Sequence, residues 1–346
     1  MRLLSVFKSG GLLLALTGLP FSFLSAASDD VLNNISNHVR NVFHQRHAAI
    51  VRVEATDSHG RLMGTGFYID PSGTLYTLAA IVSGAKEVTV FQGDQKLPAK
   101  VLTSDTRSGI ALLKVNATTP FLPLGDSHSL EVATPVISIG YPMDLPASPH
   151  FGLVAGLDQK CMGCYFSTTH VRANIPVQRG EGGSPILNLD GQVVGILVSG
   201  IDNGSACYFL PIAAAEKIRS DQARFGKVRH GWIGARVAEA NLPVEGFSAQ
   251  IVELDDASPA EEAGLQKGDI VTRIGSIDVK TPEDILDASF FLSAGDATPV
   301  KILRNGELQT LTIRPIDHPY SEAPDMQTNF KMHINIPNKE PFRFER

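Results

Sequence analysis

Apolar and polar positions along the chain change from a helical to a strand-like pattern near residue 50. Val31, Ile35, Val39 and Phe43 recur near helical spacing, which predicts an amphipathic helix over residues 28–44. Beyond it, short β-prone runs alternate with glycine, proline, aspartate and serine, a pattern typical of an all-β barrel or sandwich. The predicted strands are Ile50–Glu54, Thr65–Ile69, Glu87–Phe91, Ala99–Leu102, Ile110–Val115, Val136–Ile139, His150–Ala155, Thr168–Ala173, Ile186–Leu189 and Val193–Val198.

A second unit follows the strand-rich region. Ala213–Phe225 has a helical pattern, and Gly226–His230 is typical of a linker. The next unit spans Gly231–Pro315, and in it Ser258 with Glu261 three residues later has the spacing of a capping box. The chain therefore divides into a β-rich unit and a smaller mixed unit.

Length and charge narrow the range of functions. The 346 residues suffice for two or three domains, each with its own core. The chain has 43% hydrophobic and 19% charged residues, as ordinary globular proteins do. Its net charge of −6, without any run of lysine and arginine, argues against a nucleic-acid partner or an anionic membrane surface. We expect no cofactor and no metal ion.

The N-terminus has the features of a signal peptide over residues 1–27. Arg2 and Lys8 supply the positive region, residues 11–24 are mostly apolar, and Ser25-Ala26-Ala27 supplies small residues for cleavage. The alternative is a membrane anchor, but the apolar run is shorter than the roughly 20 residues that a spanning helix needs. We therefore expect an exported protein, for example in a bacterial periplasm, with no membrane span after processing.

Three cysteines leave several alternatives. Export permits a disulfide, and Cys161 with Cys164 is the pair we favour. Free thiols are the second alternative. A metal site would need more ligands, for which Cys207 and His170 are the candidates, and a redox pair would normally open a helix rather than follow β-prone residues.

Three stretches of the β-rich unit carry a family resemblance. They are Thr77-Leu78-Ala79-Ala80-Ile81-Val82, Ser108-Gly109-Ile110-Ala111-Leu112-Leu113-Lys114 and Gly180-Glu181-Gly182-Gly183-Ser184-Pro185. In order, they resemble the T-N-A-H-V-V, T-D-L-A-V-L-K and G-N-S-G-G-P motifs of the trypsin-like HtrA/Deg proteases. The resemblance implies a mostly β fold in which a trypsin-like double β-barrel precedes a PDZ domain of α+β type.

The same resemblance implies that the catalytic triad is missing. Ala80 stands where the family has its histidine, Gly109 where it has its aspartate, and Gly182 where it has its serine. Hydrolysis of this type needs a hydroxyl nucleophile, an imidazole base and a carboxylate that orients the imidazole. We therefore predict an inactive homologue of serine endopeptidases. Asp105 is expected to be a solvated turn residue.

Two features of the third motif leave alternatives open. Ser184, two residues after the serine position, is a candidate for a relocated nucleophile, although a local backbone partner for its hydroxyl is the simpler interpretation. The resemblance also places an oxyanion hole at the amides of Gly180 and Gly182. Glu181 between them adds a negative charge that would oppose an anion.

The second unit resembles the PDZ domains of the same family. Its run Ser258–Ile270 resembles the S-P-A-x-x-A-G-L-x-x-G-D-x-I pattern, and Gly231–Ala235 resembles the G-W-L-G-V loop. PDZ domains add an extended peptide as a strand and hold its terminal carboxylate with backbone amides. The helix expected at residues 282–292 would form the other wall of the groove. The peptide-binding candidates are Trp232, Ile233, Gly234, Ala235, Ile285 and Ser289.

These features predict an exported HtrA-like protein without catalysis that binds peptides, protein C-termini or unfolded proteins. The alternatives are an active endopeptidase with a relocated nucleophile, a scaffold subunit that regulates an active homologue, and a PDZ domain with a purely structural role. The resemblance implies a homo- or hetero-oligomer, typically a trimer. The predicted divisions are a signal peptide at 1–27, the protease-homology domain at 28–226, the PDZ domain at 229–316 and a flexible tail at 317–346.

Overall fold

The computed structural model describes residues 23–56, 60–161 and 164–317. They form a barrel domain, residues 23–225, and a C-terminal domain, residues 231–317, joined by a five-residue linker. No helix in these residues is long and apolar enough to cross a membrane. The predicted tail and most of the predicted signal peptide lie outside the described residues.

A long helix precedes the first barrel. Helix α1 (Phe23–Arg46) is longer at both ends than the predicted 28–44. The apolar side chains of its second half, among them Val39 and Val42, pack against a core that both barrels share. Leu32 and Ile35 near the middle of the helix are exposed, and the described packing against the core begins at Val39.

The first barrel is closed, with strand order β1-β2-β3-β6-β5-β4. The prediction included five of its six strands and missed β3, whose residues Thr74 to Tyr76 are buried. A single helical turn, α2 (Ala79–Val82), follows β3 and carries the first motif. The strands are β1 (Ile50–Thr56), β2 (Arg61–Tyr68), β3 (Thr74–Leu78), β4 (Glu87–Gln92), β5 (Gln95–Asp105) and β6 (Ile110–Val115).

The second barrel is also closed, with strand order β10-β11-β12-β9-β8-β7. A core cluster that includes Ile137, Ile196 and Leu210 joins it to the first barrel. Helix α3 (Ile212–Phe225) closes the domain and ends at Gly226, whose φ of 71° suits a glycine cap. The strands are β7 (Pro135–Gly140), β8 (Ser148–Cys161), β9 (Cys164–Ala173), β10 (Pro185–Leu187), β11 (Val193–Ile201) and β12 (Ala206–Pro211). Short 3₁₀ turns lie at His47–Ala49, Ser127–Ser129, Pro142–Asp144 and Asp202–Gly204.

The C-terminal domain combines a sheet of order β14-β15-β16-β18-β19 with two helices. Strand β14 lies at the edge of this sheet. Ser258 caps α4 by accepting a hydrogen bond from the Glu261 amide, as the capping-box spacing predicts. Outside the main order, β13 pairs with β20 and β17 pairs with β16. The elements are β13 (Gly231–Trp232), β14 (Ala235–Val244), β15 (Phe247–Leu254), α4 (Pro259–Glu262), β16 (Ile270–Ile274), β17 (Ile277–Asp278), α5 (Asp284–Phe291), β18 (Thr298–Arg304), β19 (Glu307–Ile313) and β20 (Ile316–Asp317).

Helix α5 docks the C-terminal domain on the barrel domain. Phe290 is 0% exposed and belongs to the core that the two barrels share. Asp287 accepts hydrogen bonds from the Thr168 hydroxyl and from the amide and hydroxyl of Thr169 on β9, each at 2.5 Å. One wall of the C-terminal domain is thereby fixed against the second barrel.

Candidate functional site

The structure brings the three triad-equivalent positions together where the two barrels meet. Ala80 lies exposed in α2, and the amide of its neighbour Ala79 donates to the carbonyl of Gly109 at 2.8 Å. The carbonyl of Gly182 accepts from the amide of Thr65 on β2 at 2.9 Å. The structure therefore brings together the residues that the motif spacing selected, and none of the three has a group that transfers a proton.

Leu78 occupies the space beside Gly182. A Cβ built on Gly182 would lie 2.7 Å from Leu78 Cδ1, closer than van der Waals contact permits. Leu78 is half-buried and packs against the shared core and the first-barrel core, so it is held in this position. In the motif of the HtrA/Deg proteases this position is asparagine. An apolar side chain thus stands where a serine at position 182 would project.

Gly109 points in an unproductive direction. Its φ is 76°, in the left-handed region that favours glycine, and a Cβ there would meet no atom within 4 Å. A side chain added at this position would therefore begin in open space, on a backbone conformation that disfavours it.

Thr65 holds the loop that contains Gly180 and Gly182. Its hydroxyl donates to the carbonyl of Gly180 at 2.8 Å and accepts from the amide of Tyr141 at 3.0 Å. Within the described residues, neither the amide of Gly180 nor that of Gly182 finds an acceptor. These two donors correspond to the predicted oxyanion hole, and they stay available for a carbonyl oxygen or an anion.

Glu181 turns its carboxylate into the protein. The residue is 1% exposed, and its two oxygens accept from His150 Nε2 at 2.8 Å and from the Gln178 amide at 2.7 Å. The hydrogen bond to Glu181 raises the pKa of His150 against the opposing effect of partial burial. The charge expected to oppose an anion in the oxyanion hole is therefore compensated by His150.

We predict that the His150–Glu181 pair makes stability depend on pH. Because the pKa of His150 is higher in the folded chain than its ordinary value of 6.5, the stabilisation is complete below that value. It declines as the pH rises through the folded-state pKa. In urea unfolding, the stability gap between the wild-type chain and His150→Gln should be wider near pH 5.5 than near pH 9. Glu181→Gln should remove this pH dependence, and a gap that stays constant would contradict the assignment.

Ser184 is sealed inside the loop. It is 0% exposed, and its hydroxyl donates to the carbonyl of Glu181 at 2.6 Å. This is the local backbone partner that the simpler interpretation expects. A peptide bond has no access to a fully buried hydroxyl, so the geometry gives no support to a relocated nucleophile.

The prediction that Asp105 is solvated is wrong. It is 8% exposed and accepts from His230 Nε2 at 2.9 Å and from the Ser108 amide at 2.8 Å. Burial acts to raise the pKa of Asp105, but the hydrogen bonds from His230 and Ser108 outweigh it and hold the pKa below its ordinary value. Asp105 thus anchors the interdomain linker.

The predicted carboxylate-binding loop has the required backbone geometry. The carbonyl of Ile233 accepts from the Ala260 amide and that of Gly234 from the Asp255 amide, both at 2.9 Å. Within the described part of the chain, the amides of Ile233 and Gly234 find no acceptor. Gly234 has φ 71°, and Trp232 packs over it. The loop therefore presents donors, as capture of a terminal carboxylate requires.

The other predicted groove residues lie as follows. Ala235 begins the edge strand β14 and packs against the C-terminal core, as Ile285 of α5 does. Ser289, one turn further along α5, accepts a hydrogen bond at 3.1 Å from Arg107 of the barrel domain. The groove is therefore bordered by both domains at this point, which the sequence did not predict.

The cysteines add no catalytic group that the structure describes. Cys161 and Cys164 are register partners at the end of the β8–β9 hairpin, but their side chains lie outside the described residues, so the disulfide stays a prediction. Cys207 is a buried free thiol, and burial raises its pKa to about 12, which leaves it protonated and unreactive. The described residues contain no cluster of three potential metal ligands.

Several residues of the site escaped the sequence analysis, namely Leu78, His150 and Arg107. Glu181 was the one residue in the sequence that pointed to a missing partner, because a carboxylate needs a partner if it is buried. Nothing in the sequence indicated that this partner is His150, which lies 31 positions earlier.

Comparisons with known proteins agree with this architecture. Residues 64–196 match the trypsin-like peptidase domain family, and residues 231–314 match the PDZ domain family. A probable periplasmic serine endoprotease DegP-like from Halomonas elongata is 31% identical over 276 residues, which cover 76% of this chain and 58% of that protein. A protein of the same name from Rhizobium meliloti is 29% identical, with 73% and 53% covered. The chain thus spans just over half the length of these relatives.

Solved structures show the same fold. The HtrA-type protease AlgW with tripeptide has a TM-score of 0.68 at 19% identity and covers 81% of this chain and 97% of its own. The serine endoprotease from Yersinia pestis has a TM-score of 0.60 at 21% identity, with 81% and 98% covered. Because a DegP-like relative is 31% identical over 76% of the chain and both domain models match, the chain is a member of the HtrA/Deg family, a trypsin-like peptidase domain followed by one PDZ domain.

Proposed function

We propose that this protein is an exported HtrA/Deg-family member that binds peptides or unfolded proteins without cleaving them. The observation that carries the proposal is the composition of the triad-equivalent site, which holds Ala80, Gly109 and Gly182. None of these residues accepts a proton or attacks a carbonyl. Without nucleophile and base, only positioning and leftover backbone dipoles contribute to the rate of hydrolysis.

The surroundings of the site favour this proposal over a relocated nucleophile. Ser184 is fully buried, and its hydroxyl is used by the backbone. The imidazole of His150 is hydrogen-bonded to the carboxylate of Glu181. Asp105 is the acidic residue nearest to position 109 in sequence, and its carboxylate is hydrogen-bonded to His230. Each of these three groups thus has another structural role.

Peptide capture is supported by the loop at Ile233 and Gly234. Its amides lack acceptors within the described residues, and the edge strand β14 that follows has a free side for an added strand. The relatives' names describe periplasmic endoproteases, and the predicted signal peptide at residues 1–27 agrees with export. Assembly into a homo- or hetero-oligomer stays a prediction from the family resemblance.

The absence of hydrolysis is tested on the purified chain without residues 1–27. We expect neither fluorophosphonate labelling nor casein cleavage above the level of a buffer control, because no activated hydroxyl is present. Ser184→Ala is the matched control and should behave as the wild-type chain does. Casein cleavage that disappears in Ser184→Ala would establish the relocated nucleophile instead.

The binding arm of the test compares two peptides that differ only at the C-terminus. A peptide with a free, apolar C-terminal residue should bind on the order of micromolar, because a strand-addition interface is small. Amidation removes the charge and places a donor opposite the loop amides, so affinity should fall at least tenfold. Equal affinity of the two forms in fluorescence anisotropy would assign the PDZ domain a structural role.

A further inference from the structure

The turn between β5 and β6 of the barrel domain contacts the linker and helix α5 of the C-terminal domain. Asp105 binds His230, which directly precedes the carboxylate-binding loop, at 2.9 Å. Arg107, two residues later, donates from Nη2 to the Ser289 hydroxyl on α5 at 3.1 Å. The carbonyl of Arg107 accepts from the Ser167 hydroxyl at 2.7 Å, which fixes the backbone of the turn. The barrel domain thus presents one fixed arginine to the C-terminal domain.

This arginine lies at the groove wall. Ile285 and Ser289 are one helical turn apart and therefore share a face of α5. Ile285 packs against the same core as Ile233 and Val237, which belong to the carboxylate-binding loop and the edge strand. Ile285 and Ser289 are the two residues of α5 predicted to border the groove, and the guanidinium of Arg107 donates to the second of them.

Arg107 is a partly buried cation at this domain junction. Burial lowers its pKa, and the carboxylate of Asp105, two residues earlier, acts to raise it. Lys217 is paired with Asp221 at 2.7 Å, and Asp105 is paired with His230. Within the described residues, Arg107 forms no ion pair; it lies over the Phe290 ring at 5.8 Å and uses one of its five donors on the neutral hydroxyl of Ser289. A guanidinium with spare donors beside a groove is suited to a carboxylate.

The geometry of strand addition indicates which ligand carboxylate meets this arginine. Side chains alternate along a strand, so the terminal side chain of a bound peptide and the one two positions earlier point to the same face, toward α5. We propose that Arg107 makes the groove selective for peptides with an aspartate or glutamate two residues before an apolar, free C-terminus. The inference rests on the proposed function of the PDZ domain and adds its ligand class.

The test uses the full chain without residues 1–27 and two decapeptides with free C-termini, one ending in Glu-Ala-Val and one in Gln-Ala-Val. The glutamate peptide should bind roughly tenfold more tightly in fluorescence anisotropy, because a charge-assisted hydrogen bond is lost with glutamine. Arg107→Ala should abolish this preference and leave the affinity for the glutamine peptide within about twofold. Arg107→Lys should retain part of the preference, since it keeps the charge but not the planar fork.

Lys100→Ala is the matched control, because Lys100 is an exposed cation on β5, the strand that precedes the turn with Arg107. It changes the net charge by the same amount and should leave the tenfold preference intact. Equal affinity of the wild-type chain for the two peptides overturns this inference alone, and so does a preference that survives Arg107→Ala. Absence of binding by either peptide overturns it together with the proposed function.

Discussion

Restoring the three family residues by Ala80→His, Gly109→Asp and Gly182→Ser together is expected to leave the chain without measurable casein cleavage. The serine Cβ would lie 2.7 Å from Leu78 Cδ1, so the serine or Leu78 must move before a histidine can reach the hydroxyl. The new aspartate would start from a backbone with φ 76° and project into open space. Without a base in contact with the nucleophile, the rate stays about 10⁴-fold or more below that of a complete triad.

A fourth substitution separates these two obstacles. Leu78→Asn restores the residue that the family motif has at this position and removes the apolar side chain beside Gly182. The quadruple variant should therefore be the first to react with a fluorophosphonate, since a serine and a histidine can then meet even if the aspartate does not orient them. Labelling of the triple variant at the same rate would show that Leu78 is no obstacle.

Gly234→Ala is expected to lower the free energy of unfolding by about 3 kcal/mol, through a close contact added to backbone strain. A Cβ at Gly234 would lie 2.3 Å from Cβ of Ser258 and 2.9 Å from Cη2 of Trp232. Ser258 caps α4, and the φ of 71° disfavours any side chain at Gly234. Because the loop must shift, its amides lose their positions, and affinity for a peptide with a free C-terminus should fall at least tenfold.

The matched control for this variant is Gly246→Ala in the β14–β15 turn. Gly246 has φ 84°, so it carries the same backbone strain, but a Cβ there would meet no atom within 4 Å. It should cost about 1 kcal/mol in urea unfolding and leave peptide affinity unchanged. If the two variants lose the same stability and the same affinity, backbone strain alone, and not the contact with Ser258, explains the effect at Gly234.

The sequence predicted the fold well because local patterns determine much of it. Short β-prone runs bounded by turn residues marked ten of the twelve barrel strands, and the capping box at Ser258 marked the start of α4. Strands β3 and β12 were missed. In the sequence, Thr77 and Leu78 of β3 belong to the first motif, and Ala206–Pro211 carries no alternation, since Cys207 to Leu210 are all buried.

The candidate site was predictable only where a motif fixed it. Motif register placed Ala80, Gly109 and Gly182, and the structure brings them together. Partners that are distant in sequence were not predictable. Asp105 has polar surroundings in the sequence, yet its partner His230 lies 125 positions later and reaches it only because α5 docks on the barrels.

Phe290 determines how the two domains are coupled energetically. Because this side chain of the C-terminal domain is fully buried among barrel residues, the free energy of its burial is lost if either domain unfolds or departs. The two domains are thus separate in topology, but their unfolding is coupled. If the linker were cut and the domains separated, each fragment would expose the apolar surface that now surrounds Phe290, and aggregation would be the expected consequence.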